Sequence, residues 1–403
     1  SSPSRGLGDV YKRQEIDGLM QLASLPPHAG IVAGRKRNNR VTDYILGIET
    51  SCDETAAAIV GSDGAIRANI VASQISEHQR HGGVVPEVAA RAHLSQIGRV
   101  IDEAFATAGM DMTGISAVAA TGGPGLIGGV LVGAVAAKAM AFGQGVPFYA
   151  INHLEGHALS ARLTEGVEFP FLLLLVSGGH TQLLEVVSPG QYHRLGTTLD
   201  DAAGEAFDKS AKVMGLGMPG GPAIESAAAM GDDRAVTLPR PLAGKPGCHF
   251  SFSGMKTAVL TAWRGAIADL PEGHERQARI ADLAASLQRA VGDSLAGQSA
   301  KAMAMFRERH PHQQQPGFVV AGGVAANRTI RSMLAQKADE NGFGFFAPPP
   351  QLCTDNAAMI AWAAMERRNA GLPADGLDFE PRPRWPLDPE AAPPPGRNNR
   401  KGK

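Results

Sequence analysis

The segment NHLEGH (152–157) carries two histidines four residues apart, His153 and His157. On a helix that spacing puts both imidazoles on one face, where neutral rings suit a transition-metal ion. Glu155 stands two after the first histidine and points away from a site the pair would share, so the zinc-protease pattern HExxH is absent. A third ligand has to come from elsewhere. Asp355, in the turn CTDN (353–356) before the helical run 357–367, is a candidate. An aspartate in that place also serves as a plain helix N-cap, and the sequence leaves both roles open.

Four glycine turns add a second kind of chemistry: TGGPGLIGG (121–129), VSGGHTQ (176–182), MPGGP (218–222) and AGGVAANR (321–328). A glycine-rich turn that follows a strand and opens a helix aims free backbone N–H groups at an anion. Together these turns indicate a nucleotide site. GxxxxGK[ST] and a well-placed GxGxxG are absent, so neither a P-loop nor a Rossmann site is indicated. Acids supply a third group. Glu49, Asp53 and Glu54 lie in a polar turn, where a carboxylate can face phosphates through a metal or water. Asp200, Asp201, Glu205 and Asp208 lie in LDDAAGEAFDKSAK (199–212), which also reads as an amphipathic helix with a solvated acidic face. FSFSGMKT (250–257) is a serine-rich turn whose residues alone suggest no chemical role.

The elements that must hold these groups follow an α/β grammar. A short apolar strand at 44–48, a polar turn, a second apolar run at 56–60 and a turn at 61–64 return as 171–176, 177–181, 183–187 and 188–190. AVAATGGPG (117–125) leads into a helical run at 126–142, and GFVVAGGVAANRT (317–329) leads into another at 330–337. Both read as a buried strand, a glycine turn and a helix start. The recurrence predicts two similar lobes with a ligand between them.

Composition bounds the rest. The chain has 403 residues, enough for two domains of about 100–200 residues each. Cys52, Cys248 and Cys353 form no CxxC pair, and scattered free thiols fit a reducing, cytoplasmic setting. No signal peptide is visible and no membrane partner is expected. The longest apolar candidate, 125–142, contains several glycines and Lys138, and falls short of an unbroken run of roughly 18 residues. Between residues 41 and 396 stand 27 basic and 36 acidic residues, a net charge of −9. Such a body binds polyanions poorly without help. Residues 1–40 lack periodicity and read as a disordered leader; their opening SSPSRGLGDVYKRQ lacks an initiator Met and reads as foreign sequence, the alternative being a disordered basic arm or a transit segment, and residues 389–403 read as a disordered basic tail.

Further motifs join these: GIETSCDET (47–55), GGVVPEVAARAH (82–93), DDAAGEAFDK (200–209), CTDNAAMIA (353–361) and PRPRWPL (381–387). In this order they closely resemble the tRNA threonylcarbamoyladenosine transferase family, formerly labelled O-sialoglycoprotein endopeptidases. The resemblance covers about 44–388. It implies two actin-like (RNase H-like) lobes with a nucleotide cleft, the first formed by 41–155 with 354–388 and the second by 156–353. It implies one transition metal, Fe2+ or Zn2+, on His153, His157 and Asp355. Leu175, Val176, Ser177, Gly178 and Gly179 match the segment that contacts the nucleotide-linked substrate. Asp208, Gly221 and Asn327 match positions around its adenosine, and Glu225 stands where relatives carry other residues. Asp53 and Glu54 match no assigned base and are candidates for orienting the amine or a water. The implied reaction moves a threonylcarbamoyl group from threonylcarbamoyl-AMP to N6 of the adenosine 3′ of the anticodon, in tRNAs reading codons that begin with A. The implied partners are tRNA, a paralogous actin-like subunit and a small P-loop ATPase. The runner-up is a carbamoyltransferase of the same lobes and metal triad that acts on another acceptor. A kinase or ATPase of this fold is disfavoured by the paired histidines, since that class holds Mg²⁺ through carboxylates and water. A scaffold subunit that has lost its site is disfavoured because the pair is retained.

Overall fold

The structure, a computed structural model, describes residues 42–79 and 83–393. The expected leader and the last ten residues of the expected tail lie outside the described residues. The chain runs β1 (Tyr44–Glu49), β2 (Glu54–Gly61), β3 (Ile66–Ser73), α1 (Ile75–Gln79), α2 (Pro86–Ala108), β4 (Ile115–Gly123), α3 (Ile127–Gln144), β5 (Phe148–Asn152) and α4 (His153–Glu165). It continues with β6 (Phe171–Val176), β7 (Thr181–Ser188), β8 (Gln191–Thr197), α5 (Ala203–Val213), α6 (Gly220–Ala228), α7 (Ser253–Ala266) and α8 (His274–Arg309). Last come β9 (Gly317–Ala321), α9 (Arg328–Glu340), β10 (Gly344–Phe346), α10 (Pro350–Cys353) and α11 (Ala357–Asn369).

Two five-stranded sheets repeat one topology. The first has the order β3-β2-β1-β4-β5 and the second β8-β7-β6-β9-β10. In each, the first three strands form an antiparallel meander and the last two run parallel to the first. This is the duplicated actin-like lobe. Strand alternation divides the apolar residues between layers. Leu46, Ile48, Ala57 and Ile59 face outward to α2 and α3, while Ile45, Ala56, Ala58 and Val60 face the middle. In β6, Leu172, Leu174 and Val176 face the outer helices and Phe171, Leu173 and Leu175 face the middle. A strand buried on both sides needs an unbroken apolar run, which FLLLLV supplies.

The middle layer consists of α4 and α11, whose residues share one core with the inner faces of both sheets. Their approach depends on two glycines. A Cβ at Gly47 would fall on Ala357 O and within 2.7 Å of Ala361 N, so β1 admits α11 only at a glycine. A Cβ at Gly156 would lie 3.0 Å from Ile360. Ion pairs lock the contact: Arg367 to Glu155 at 2.6 Å and Arg162 to Glu366 at 2.9 Å. Glu155 therefore belongs to the scaffold and faces away from the histidine pair. Removing one partner of a pair this buried costs about 3–5 kcal/mol.

One expectation needs correction. Helix α3 is, by length and composition, apolar enough to cross a membrane, although the glycines and Lys138 argued against such a run. It instead covers the first sheet through Val130, Ala134, Ala137 and Ala141. Its other face leaves Leu131, Val135 and Phe142 exposed.

Two substitutions test this packing by chemical denaturation. Gly47→Ala should lower stability by at least 1–3 kcal/mol, roughly the range for overpacking. Gly297→Ala, inside α8 with open space around it, should raise stability by about 0.5–1 kcal/mol. Equal effects would mean that α11 does not rest on Gly47.

Candidate metal centre and its surroundings

The first helical residue of α4 is His153, and Asn152 caps the helix by accepting from Leu154 N. One turn later His157 lies on the same face, and the two rings meet edge to face with centroids 4.8 Å apart. The third group arrives from the far end of the chain. Asp355 lies two residues before α11, and Asn356 between them caps the helix, accepting from Met359 N–H at 3.1 Å. The Asp355 carboxylate is thus free of the capping role and turns to the histidines. His157 Nε2 lies 3.0 Å and His153 Nε2 3.5 Å from Asp355 Oδ1. Among the described residues these three form the group whose ligand atoms all lie within 4.8 Å of one another.

A second layer orients the ring of His153. Its Nδ1 lies 2.9 Å from Glu49 Oε2 and 3.1 Å from Ser51 Oγ, which leaves Nε2 for the shared centre. Glu49 is itself fixed by Ser51 N–H and the Thr121 hydroxyl. A carboxylate behind a ligating imidazole is the arrangement that sets tautomer and ring orientation in metal sites. His157 Nδ1 is buried without a partner, so Asp355 is the ring's one polar contact among the described residues.

The electrostatics favour a cation. Glu49, Asp53, Glu54 and Asp355 gather here, and no Lys or Arg pairs with any of them among the described residues. Burial, then Asp355 and Asp53, push the Glu54 carboxyl up to about 9. Burial would lower His153, but Asp355 and Glu49 beside it raise it well above the usual range. Burial would raise Asp355, and the two histidines hold it well below that range. Two imidazoles and a carboxylate, with Glu49 and Asp53 close by and no Lys or Arg paired to them among the described residues, suit a divalent transition metal.

The other sequence candidates divide by what their side chains already do. Leu175 and Val176 are fully buried on opposite faces of β6, so they offer backbone only. Ser177 N–H donates to His180 O, which leaves Gly178 and Gly179 as the open part of that turn. Gly204, unremarked in the sequence, lets α5 approach the turn, since a Cβ there would lie 2.6 Å from Ser177 O. Asp208 accepts from Gly220 N–H at 2.7 Å and joins α5 to the start of α6. Burial raises its carboxyl, with Asp53 among the charges that reach it. Gly221 faces open space. Glu225 accepts from Arg328 N–H. Asn327 caps α9 through Ile330 N and donates to Gln288, so both ends of its amide are engaged. The glycines at 125 and 129 pack against Ser51 O and Thr50 O, so that turn admits backbone where an anion had been expected.

Three features escaped sequence reasoning. His180 sits close enough to the pair that burial, then His153 and His157, hold it down to about 4. Its signal was a third histidine directly after the SGG turn. Glu49 was seen as an acid in a turn, with nothing to mark it as the support of His153. FSFSGMKT is explained by Asp200, whose carboxylate accepts from the Ser251 and Ser253 hydroxyls and from Phe252 and Ser253 N–H.

Residues 65–362 match the family TsaD: tRNA N6-adenosine threonylcarbamoyltransferase. The chain belongs to this family. Proteins named tRNA N6-adenosine threonylcarbamoyltransferase from Rhizobium meliloti (strain 1021) and Rhodospirillum rubrum are each 56% identical to it. Each alignment covers 86% of this chain, with 96% of the first relative and 95% of the second. A namesake from Brucella suis is 54% identical, covering 87% of this chain and 96% of the relative. Among solved structures, T. kodakarensis HypF superposes with a TM-score of 0.53 at 15% identity, over 82% of this chain and 48% of that one. A full-length HypF in a phosphate- and nucleotide-bound form gives 0.51 at 11% identity, over 81% and 46%. At those identities the likeness concerns the fold alone. The chain is accordingly a transferase of the TsaD family with a possible His–His–Asp metal site.

Metal analysis of the purified protein should find one transition metal per chain. The double variant His153→Ala/His157→Ala should lose it while keeping its circular dichroism. Glu49→Gln should weaken metal affinity by roughly 10–100-fold, the usual effect of removing such a support. Full occupancy in the double variant would rule out the assignment.

Proposed function

We propose that this chain transfers the threonylcarbamoyl group from threonylcarbamoyl-AMP to N6 of the adenosine 3′ of the anticodon, in tRNAs reading codons that begin with A. The observation that carries the reading is the triad of His153, His157 and Asp355 in a chain of this family. In this reading 41–155 with 354–388 and 156–353 are the two lobes, and α4 runs across their dividing line. The adenylate lies in the cleft between the lobes. Gly178 and Gly179 present backbone N–H groups to its phosphate. Asp208, Gly221, Glu225 and Asn327 border the adenosine, with the engaged amide of Asn327 acting through the loop it stiffens.

His153, His157 and Asp355 would hold Fe2+ or Zn2+, which when bound supplies a Lewis acid for the carbonyl or the phosphate oxygens. Asp53 and Glu54 orient the attacking amine. A C–N bond forms at the carbamoyl carbon, the C–O bond to the phosphate breaks, AMP leaves with that oxygen, and the proton lost from the amine passes to solvent. His180, held neutral by burial, lines the approach without adding positive charge.

The acidic body makes tRNA binding depend on partners or a local basic patch. We read the exposed apolar residues Leu94, Leu131, Val135 and Phe142 on α2 and α3 as the seat of the paralogous actin-like subunit. A small P-loop ATPase completes the assembly, which works in the cytoplasm.

The test is reconstitution with labelled threonine, bicarbonate, ATP, tRNA and the bacterial partner proteins. Label should enter tRNA and depend on this chain. Gly178→Val should weaken adenine-nucleotide affinity more than about tenfold by blocking backbone approach. Label-free tRNA would refute the function, and unchanged affinity would remove the turn from the nucleotide site.

A further inference from the structure

The motif PRPRWPL (381–387) has no part in the chemistry above, yet the fold ties it to the metal centre. Asn152, which caps α4 just before His153, donates from Nδ2 to Trp385 O at 2.9 Å. Arg382 N–H donates to Gly122 O at 2.7 Å, and Gly125 N–H donates to Pro383 O at 3.4 Å. Ser51, which supports His153, has its carbonyl against that same 122–125 turn, accepting from Leu126 N–H at 2.8 Å. The strap therefore crosses the C-terminal ends of β4 and β5, on the rim of the triad.

Its side chains form a shelf. The rings of Phe379 and Trp385 lie 5.6 Å apart, and the Arg382 guanidinium stands 5.3 Å and 4.9 Å from their centroids. Lys138 fixes the shelf from below by donating to Phe379 O. Many other arginines are occupied: Arg162, Arg240, Arg289, Arg309 and Arg367 each hold a carboxylate. Arg382 and Arg384 are exposed, and among the described residues neither guanidinium has a carboxylate or carbonyl partner. Arg264, Arg279 and Arg328 are likewise exposed and unpaired among the described residues, but Arg382 and Arg384 stand two positions apart on the strap that Asn152 ties to the triad, in a body of net charge −9. A stacked guanidinium is pre-organised for phosphate, which it binds through a planar fork of donors. Asp378 and Glu380 on the same strap limit the basic patch to its 382–384 end.

We propose that Arg382 and Arg384 form a two-phosphate contact that holds the tRNA backbone beside the triad. The proposal rests on the tRNA-modifying function proposed above. It makes these residues determinants of tRNA affinity that contribute nothing to the bond-making step.

The test compares the full chain with Arg382→Gln/Arg384→Gln and Arg382→Lys/Arg384→Lys, in direct tRNA binding and in the reconstituted transfer. The Gln pair should raise the tRNA Kd and KM by about tenfold. The log–log salt slope should fall by roughly 1.5, from 0.7–0.9 per phosphate. Metal content, adenine-nucleotide affinity and kcat at saturating tRNA should stay as in the parent, and the Lys pair, which keeps the charge without the planar fork, should recover part of the affinity. Unchanged Kd and slope would overturn the strap contact even where transfer works. So would a loss accompanied by metal release, or one that the Lys pair does not relieve. A parent that binds tRNA through these arginines yet transfers nothing would uphold the contact and refute the function.

Discussion

The metal triad exists because two helices whose site residues His157 and Asp355 stand 198 positions apart approach closely in the layer between the sheets. Helix α4 brings both histidines, and the turn before α11 brings Asp355. The approach is set by absent side chains, at Gly47 under α11 and at Gly156 between the histidines. It is held by the ion pairs of Glu155 with Arg367 and Glu366 with Arg162. An interhelical shift of one ångström would separate ligand atoms that all lie within 4.8 Å. Packing of this density resists gradual deformation, so the site is either assembled or lost.

Order in the second layer matters as much as proximity. His153 is gripped at Nδ1 by Glu49 and Ser51, whereas His157 meets Asp355 and leaves Nδ1 buried and bare. The two histidines are thus unequal: one is aimed by hydrogen bonds, the other by the packing around it. Losing Asp355 would leave the ring of His157 with no polar partner among the described residues, at the desolvation cost of a buried polar group.

Much of the fold could be read from residues because its signals are local. FLLLLV announces a strand buried on both faces, and the return of strand, turn and strand at 171–187 announces the duplicated sheet. The site was only partly legible, for reasons of geometry. In TDN, Asp355 and Asn356 are both good caps, and only the start of α11 decides that Asn356 caps and Asp355 is released. Glycine is equally ambiguous, because it admits a phosphate or a neighbouring backbone alike. At 178 and 179 a Cβ would meet nothing, while at 125 and 129 it would strike the β1–β2 turn, so similar motifs serve opposite ends. The role of Asp200 was invisible because its four donors come from a segment some fifty positions away.

The position of α11 in the chain also bears on synthesis. Asp355 lies 198 positions after His157, and β1 has its inner face covered only when α11 docks on Gly47. Chains fold from the N-terminus as they leave the ribosome. The nascent protein therefore has the middle faces of its sheets covered only in part, by α4, until α11 emerges. A message truncated before that point yields a product that has both histidines but exposes its core, which marks it for chaperones or proteases. Quality control of the polypeptide and completion of the metal site are, in this architecture, a single event.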